Sequence, residues 1–138
     1  MNSADIPAFV CCIWFGAILA ISFLETPLKF RAPGITLPLG LSLGRVVFRA
    51  LIRVEIVLLV LACAAALPYG TTALVLLPPA AILTTQALIL RPRLDLRAQR
   101  VISGQPVPRS RLHLMYVAGE FLKLMTLAVA AFVLGATS

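Results

Sequence analysis

Acidic residues are scarce in this 138-residue sequence: five Asp and Glu stand against twelve Lys and Arg. Charged residues make up 12% of the chain, about half the share of an ordinary soluble domain. Whole stretches carry none, from Ile6 to Leu24 (19 residues), Ile56 to Leu90 (35) and Leu124 to Ser138 (15). That excludes a soluble enzyme domain. There is a single histidine, His113, which excludes bis-histidine haem and multi-histidine copper. The three cysteines, Cys11, Cys12 and Cys63, lack metal-ligand spacing, because adjacent cysteines on a helix point about 100° apart. They read as packing residues, with a disulfide between the first pair and Cys63 geometrically open. No nucleophile stands beside a base and no phosphate loop occurs, so neither a metal nor another cofactor is expected and the reading leans away from an enzyme.

What is present is apolar: 61% hydrophobic residues and a mean hydropathy of +1.03. A membrane span needs about 20 mainly apolar residues, so the length admits four helices and no soluble domain. The expected fold is all-α, an integral membrane four-helix bundle with helices at about 6–30, 43–67, 71–90 and 112–134. Pro27 is expected to interrupt the first helix near its end, and Pro78-Pro79 to kink the third. The segment from Arg31 to Gly40, with three Pro/Gly turn signals, reads as a surface loop. A short basic amphipathic helix is expected over about 93–103, stopped by Gly104, and Ser110 is a candidate N-cap for the last helix. Gly16, Ala20, Ala118 and Gly119 are small residues suited to close packing of helices in lipid.

The charge of +7 would suggest nucleic acid in a soluble protein. Its distribution points instead to anionic lipid headgroups. Lys29, Arg31, Arg45 and Arg49 flank the first connection, and Arg91, Arg93, Arg97, Arg100, Arg109 and Arg111 crowd the third, whereas Pro68-Tyr69-Gly70 and the C-terminal tail have none. By the positive-inside rule the first and third connections are cytoplasmic and both termini lie outside, in a cytoplasmic (inner) membrane. The acidic N-terminal flank argues that the first helix is retained rather than cleaved as a signal.

Five ionisable residues fall inside the apolar segments: Glu25, Arg53, Glu55, Glu120 and Lys123. A charge there is costly and seldom faces lipid. Glu55 and Lys123 each lie about 11 residues, roughly 16 Å, in from the basic ends of their helices, so they are expected to meet. Arg53 and Glu120, at about 8 and 9 residues, form a second depth-matched pair. Helices 2 and 4 are therefore expected to be neighbours, although Glu120 with Lys123 and Glu25 with Lys29 also have local pairing distances. Thr84, Thr85, Gln86, His113 and Tyr116 are candidates to line a polar path, and Trp14 reads as packing.

Several residues carry a resemblance: Pro27-Leu28-Lys29-Phe30 closing helix 1, Gly44 and Phe48 opening helix 2, Arg91-Pro92-Arg93 ending helix 3, and His113 opening helix 4. In these the chain resembles the small four-helix membrane proteins of the DUF4149/TMEM205-like type, which implies the architecture and no general activity. Arg49-x-x-x-Arg53-x-Glu55 is also similar to the helix-2 pattern of the MAPEG glutathione-handling enzymes, without their Asn between arginine and glutamate. The expected function is a non-catalytic accessory or structural subunit, or a self-assembling module, working as a homo-oligomer or with a larger membrane partner. The alternatives are a small proton-linked transporter or channel-like protein, and a MAPEG-like glutathione-dependent enzyme.

Overall fold

The structure, a computed structural model, describes residues 2–108 and 110–138; Met1 and Arg109, one of the expected headgroup cations, lie outside the described residues. All of its regular elements are helical, and three helical runs are long and apolar enough to cross a membrane: Ser3–Lys29, Leu37–Ile102 and Leu112–Ala136. The middle run folds back on itself. Gly70 has φ 57° and ψ −125°, a conformation outside the helical region that a side chain would strain. Arg45 and Asp95 then lie 3.9 Å apart, although fifty residues of straight helix would separate them by about 75 Å. We number the elements α1 (Ser3–Lys29), α2 (Leu37–Ala66), α3 (71–102, after the turn at Gly70) and α4 (Leu112–Ala136).

Prolines shape these helices without breaking them. Before Pro27, α1 widens into π-type turns over Leu19–Glu25; the Thr26 N–H bonds the Ile21 carbonyl, five residues back, and its hydroxyl joins at 3.0 Å. The wider turn absorbs the donor that proline removes. A second widened turn, Gln86–Leu90, precedes Pro92, and the helix runs on to Ile102. The basic stretch expected as a separate helix over 93–103 is therefore the end of α3. Gly104, at φ 74°, stops it, and the Gln105 N–H caps the Arg100 carbonyl at 2.9 Å. The chain reaches Pro78-Pro79 in tight 3₁₀ turns (Leu67–Leu76) and becomes α-helical from Leu77, so the two prolines sit in a first turn, where missing N–H groups cost little.

A correction applies to the first connection. α2 starts at Leu37, earlier than position 43, because the Thr36 hydroxyl accepts from the Leu39 N–H at 3.3 Å and Pro38 occupies the first turn. The connection from α1 is then only 30–36. The cap position of α4 is Arg111 rather than the expected Ser110, whose hydroxyl accepts from the Leu112 N–H at 3.1 Å from one residue further out.

α1 packs on both α2 and α4, and α3 packs on the same two from the other side. The expected adjacency of the second and fourth helices is thus corrected: α2 and α4 face each other diagonally. Trp14, Ile18, Ala62, Ala66, Leu127, Ala130 and Leu134 fill the space between and are wholly buried. The termini and the Gly70 turn share one end, where the Ser138 hydroxyl donates to Asp5 at 3.0 Å and the Tyr69 hydroxyl donates to the Ala4 carbonyl. Outward positions stay apolar: Phe132, Leu88 and Leu114 are 77%, 72% and 70% exposed. The molecule is apolar outside and polar at its centre, the reverse of a soluble domain.

Candidate functional site: a closed charge cluster beneath a basic cavity

At mid-height every helix sends a polar side chain to the axis. Lys123 of α4, fully buried, is met by Glu55 Oε1 of α2 at 2.6 Å, Glu120 Oε1 at 2.7 Å and Gln86 Oε1 of α3 at 2.6 Å. An ammonium has three donors, and three oxygens surround it. α1 completes the shell: the Trp14 indole N–H donates to Glu55 Oε1 at 2.9 Å, and the Ser22 hydroxyl to Glu120 Oε2 at 2.5 Å. Gln86 is held in turn by the Tyr116 carbonyl, which accepts from its Nε2 at 3.3 Å. Gly119 makes room for it, since a Cβ there would come within 2.9 Å of Gln86 Nε2.

The diagonal explains the choice of residues. Where two backbones face each other across a bundle, only long side chains reach the middle, and Glu55 and Lys123 do so while Trp14 and Gln86 fill the sides. The cluster holds two carboxylates and one ammonium, and the hydroxyl and indole donors offset the surplus negative charge. Glu55 Oε2 is left without a hydrogen-bond partner among the described residues, and Glu120 Oε1 meets Lys123 as an ion-pair contact without hydrogen-bond geometry.

Above the cluster, toward the ends of α1 and α3 and the starts of α2 and α4, lies a cavity of about 530 Å³. Ser22 and Glu120 border it at the cluster side, and Lys29, Arg45, Arg91, Arg97 and His113 bring it basic groups from all four helices. The remaining walls are mainly apolar, among them Phe30, Phe48, Leu94 and Val101. Two glycines of α2 keep it open: a Cβ on Gly40 would overlap the Phe30 ring, and one on Gly44 would come within 3.1 Å of Lys29 Nζ. Arg91 is held in place, bridging to Asp95 at 3.1 Å and lying 5.2 Å and 5.4 Å from the centroids of Phe48 and Tyr116. Those rings meet edge to face at 5.6 Å.

The expected site residues separate into groups. Glu55, Glu120, Lys123 and Gln86 come together in the cluster, and Tyr116 and His113 line the cavity. Arg53 does not pair with Glu120; it is exposed and, with Arg49, Arg91 and Asp95, borders a separate depression of about 350 Å³ outside the bundle. Glu25 stays out of the cluster as well, 3.9 Å from Lys29. Thr84 and Thr85 are exposed, their hydroxyls donate back to Ala80 and Ala81, and neither lines the cavity. Arg93, Arg100 and Arg111 are exposed at the basic end. Gly16, Ala20 and Ala118 are exposed too, with nothing within 4 Å of where a Gly16 Cβ would stand, and the three thiols are free.

Trp14, Ser22, Phe30 and Phe48 are the participants that sequence reasoning missed. The usable signal was in Trp14, since an indole N–H within an apolar helix needs an acceptor and so points to a buried carboxylate nearby. Comparison with known proteins gives no match to a family model, a curated protein or a solved structure.

Proposed function

We propose that this chain is a four-pass protein of the cytoplasmic membrane that acts by assembly rather than catalysis, as an accessory subunit or a self-associating module, with its basic end cytoplasmic and both termini outside. The observation that carries this reading is the enclosure of Lys123, which is 0% exposed and bound to oxygens from α2, α3 and α4. A cluster tied to every helix selects one register among otherwise interchangeable apolar helices, as buried polar groups do in other bundles. The apolar exterior supports a lipid environment. Gly16 and Ala20, outward on α1, supply a flat strip on which a second helix can approach closely.

The test is gentle purification from membranes with native mass measurement. A discrete homo-oligomer that Gly16→Leu dissociates, or a stoichiometric larger membrane partner, supports assembly. A lone monomer, unchanged by Gly16→Leu and without a partner, refutes it. Reporter fusions after Ser138 and within 103–108 check the orientation: activity outside for the first and inside for the second is expected.

One observation favours proton-linked transport as a second reading. The cavity reaches Glu120, so one carboxylate of the cluster borders open volume at the basic end. On the other side the way is blocked by Ala62, Ala66, Leu127 and Ala130, all 0% exposed, so flux requires these helices to part. Glu120→Gln, reconstituted in vesicles, separates the two: loss of pH-driven flux with assembly intact selects transport.

A further inference from the structure

The cavity has charge that the fold does not use. Of its four long cations, Arg91 is committed to Asp95 and the two rings, and Arg97 donates to the Pro108 carbonyl at 2.5 Å. Lys29 and Arg45 are less satisfied. The Lys29 side chain is 8% exposed, its nearest carboxylate stands 3.9 Å away, and its ammonium, 5.5 Å from the Phe30 ring centroid, lies over bare Gly44, beside Arg45 in sequence. Arg45 also finds its carboxylate only at 3.9 Å, and its Nε is buried with no hydrogen-bond partner among the described residues. The Tyr116 hydroxyl, on a residue 3% exposed, likewise has none.

Two partly buried cations drawn to one volume repel each other unless an anion sits between them. A buried donor left unsatisfied destabilises the fold, and a bound oxyanion relieves it. A bare inorganic anion would leave most of the volume and its aromatic walls unused. About 530 Å³ falls within the roughly 300–1,000 Å³ typical of sites for organic ligands, which pair apolar walls with a few placed polar groups.

We propose that this cavity binds a single-tailed anionic amphiphile, its phosphate or carboxylate head between Lys29 and Arg45 and its hydrocarbon body against Phe30, Phe48, Leu94 and Val101. The basic end thus holds a specific ligand in addition to any general attraction for anionic lipid. Glu120, at the inner limit of the cavity, repels the head and keeps it toward Lys29 and Arg45.

The full chain, delipidated in nonionic detergent, is offered oleoyl lysophosphatidic acid, oleoyl lysophosphatidylcholine with the same tail and a zwitterionic head, or glycerol 3-phosphate with no tail. Retained adducts are counted by native mass spectrometry. One molecule of the anionic lipid per chain is expected, at least tenfold over the zwitterionic one, with no glycerol 3-phosphate adduct. Lys29→Gln with Arg45→Gln lowers retention at least tenfold, whereas Arg100→Gln with Arg111→Gln, exposed and outside the cavity, changes it less than twofold. Equal retention of the two lipids overturns the proposal, as does equal loss from both variant pairs. Equally tight binding of glycerol 3-phosphate overturns it too, by showing a plain anion site. The lipid comparison uses the unaltered chain, so a variant that fails to fold leaves the test standing.

Discussion

Lys29 and Lys123 are the same residue type in the same small bundle, on helices that touch, and they live under different rules. Lys123 is enclosed at the centre, with three oxygens within 2.7 Å. Lys29 lines an open cavity with its nearest carboxylate at 3.9 Å. The difference lies in what supplies the counter-charge. Around Lys123 the protein provides it, from Glu55 and Glu120, and the cluster belongs to the folded state. Around Lys29 the protein nearly omits it, and the site can accept an anion from elsewhere. Charge inside this bundle therefore divides into a part that holds the helices together and a part that is left free to bind.

The largest expected effect breaks the closed half. Lys123→Met leaves Glu55 and Glu120 facing each other in an apolar core, and removing one partner from a buried ion pair costs about 3–5 kcal/mol. Denaturant unfolding in detergent should show most of the chain's stability lost. Wild-type stability in this variant would show that the cluster does not lock the fold. Gly119→Leu comes next: the added side chain drives into Gln86, which must release Lys123 or shift α3, and overpacking of this kind costs about 1–3 kcal/mol. A thermal midpoint unchanged by it would mean that Gln86 is free to move aside.

Lys29→Met then sharpens the comparison, since it is the same substitution made at the open site. A weak, partly solvated pair is worth about 0–1 kcal/mol, so its melting curve should nearly overlay the wild type. A loss as large as that of Lys123→Met would erase the distinction between the two lysines. Smallest of all, Thr84→Val should shift stability by about 0.5 kcal/mol or less, because its exposed hydroxyl only bonds back to its own helix. A measurable defect in transport or assembly from that change would place Thr84 at an interface that a single copy does not have.

Much of the fold was legible because each signal was local. The charge-free runs mark the apolar segments, Gly70 and Gly104 mark turns that need positive φ, and depth along a straight helix brings Glu55 level with Lys123. Position around the helix axis was harder to read. Arg53 and Glu55 are two residues apart, hence on different faces, and depth alone could not tell that Glu55 turns inward while Arg53 turns out. Thr36-Leu37-Pro38 shows how one motif supports two readings: Pro and Gly nearby suggested loop, yet a threonine two residues before proline is also a helix start.

The sequence by itself determined an all-helical chain with apolar segments, one basic end, and a few ionisable residues that must find partners, since hydropathy and charge act position by position. Only the tertiary structure decided which of them meet. α2 and α4 stand on a diagonal, so Glu55 and Lys123 reach each other where a side-by-side pairing was expected, and Trp14 and Ser22 of α1 complete their shell. Four helix ends likewise had to converge before scattered lysine and arginine residues became the lining of one cavity. Both outcomes depend on helix rotation and order around the axis, which are set by contacts between segments far apart in the chain.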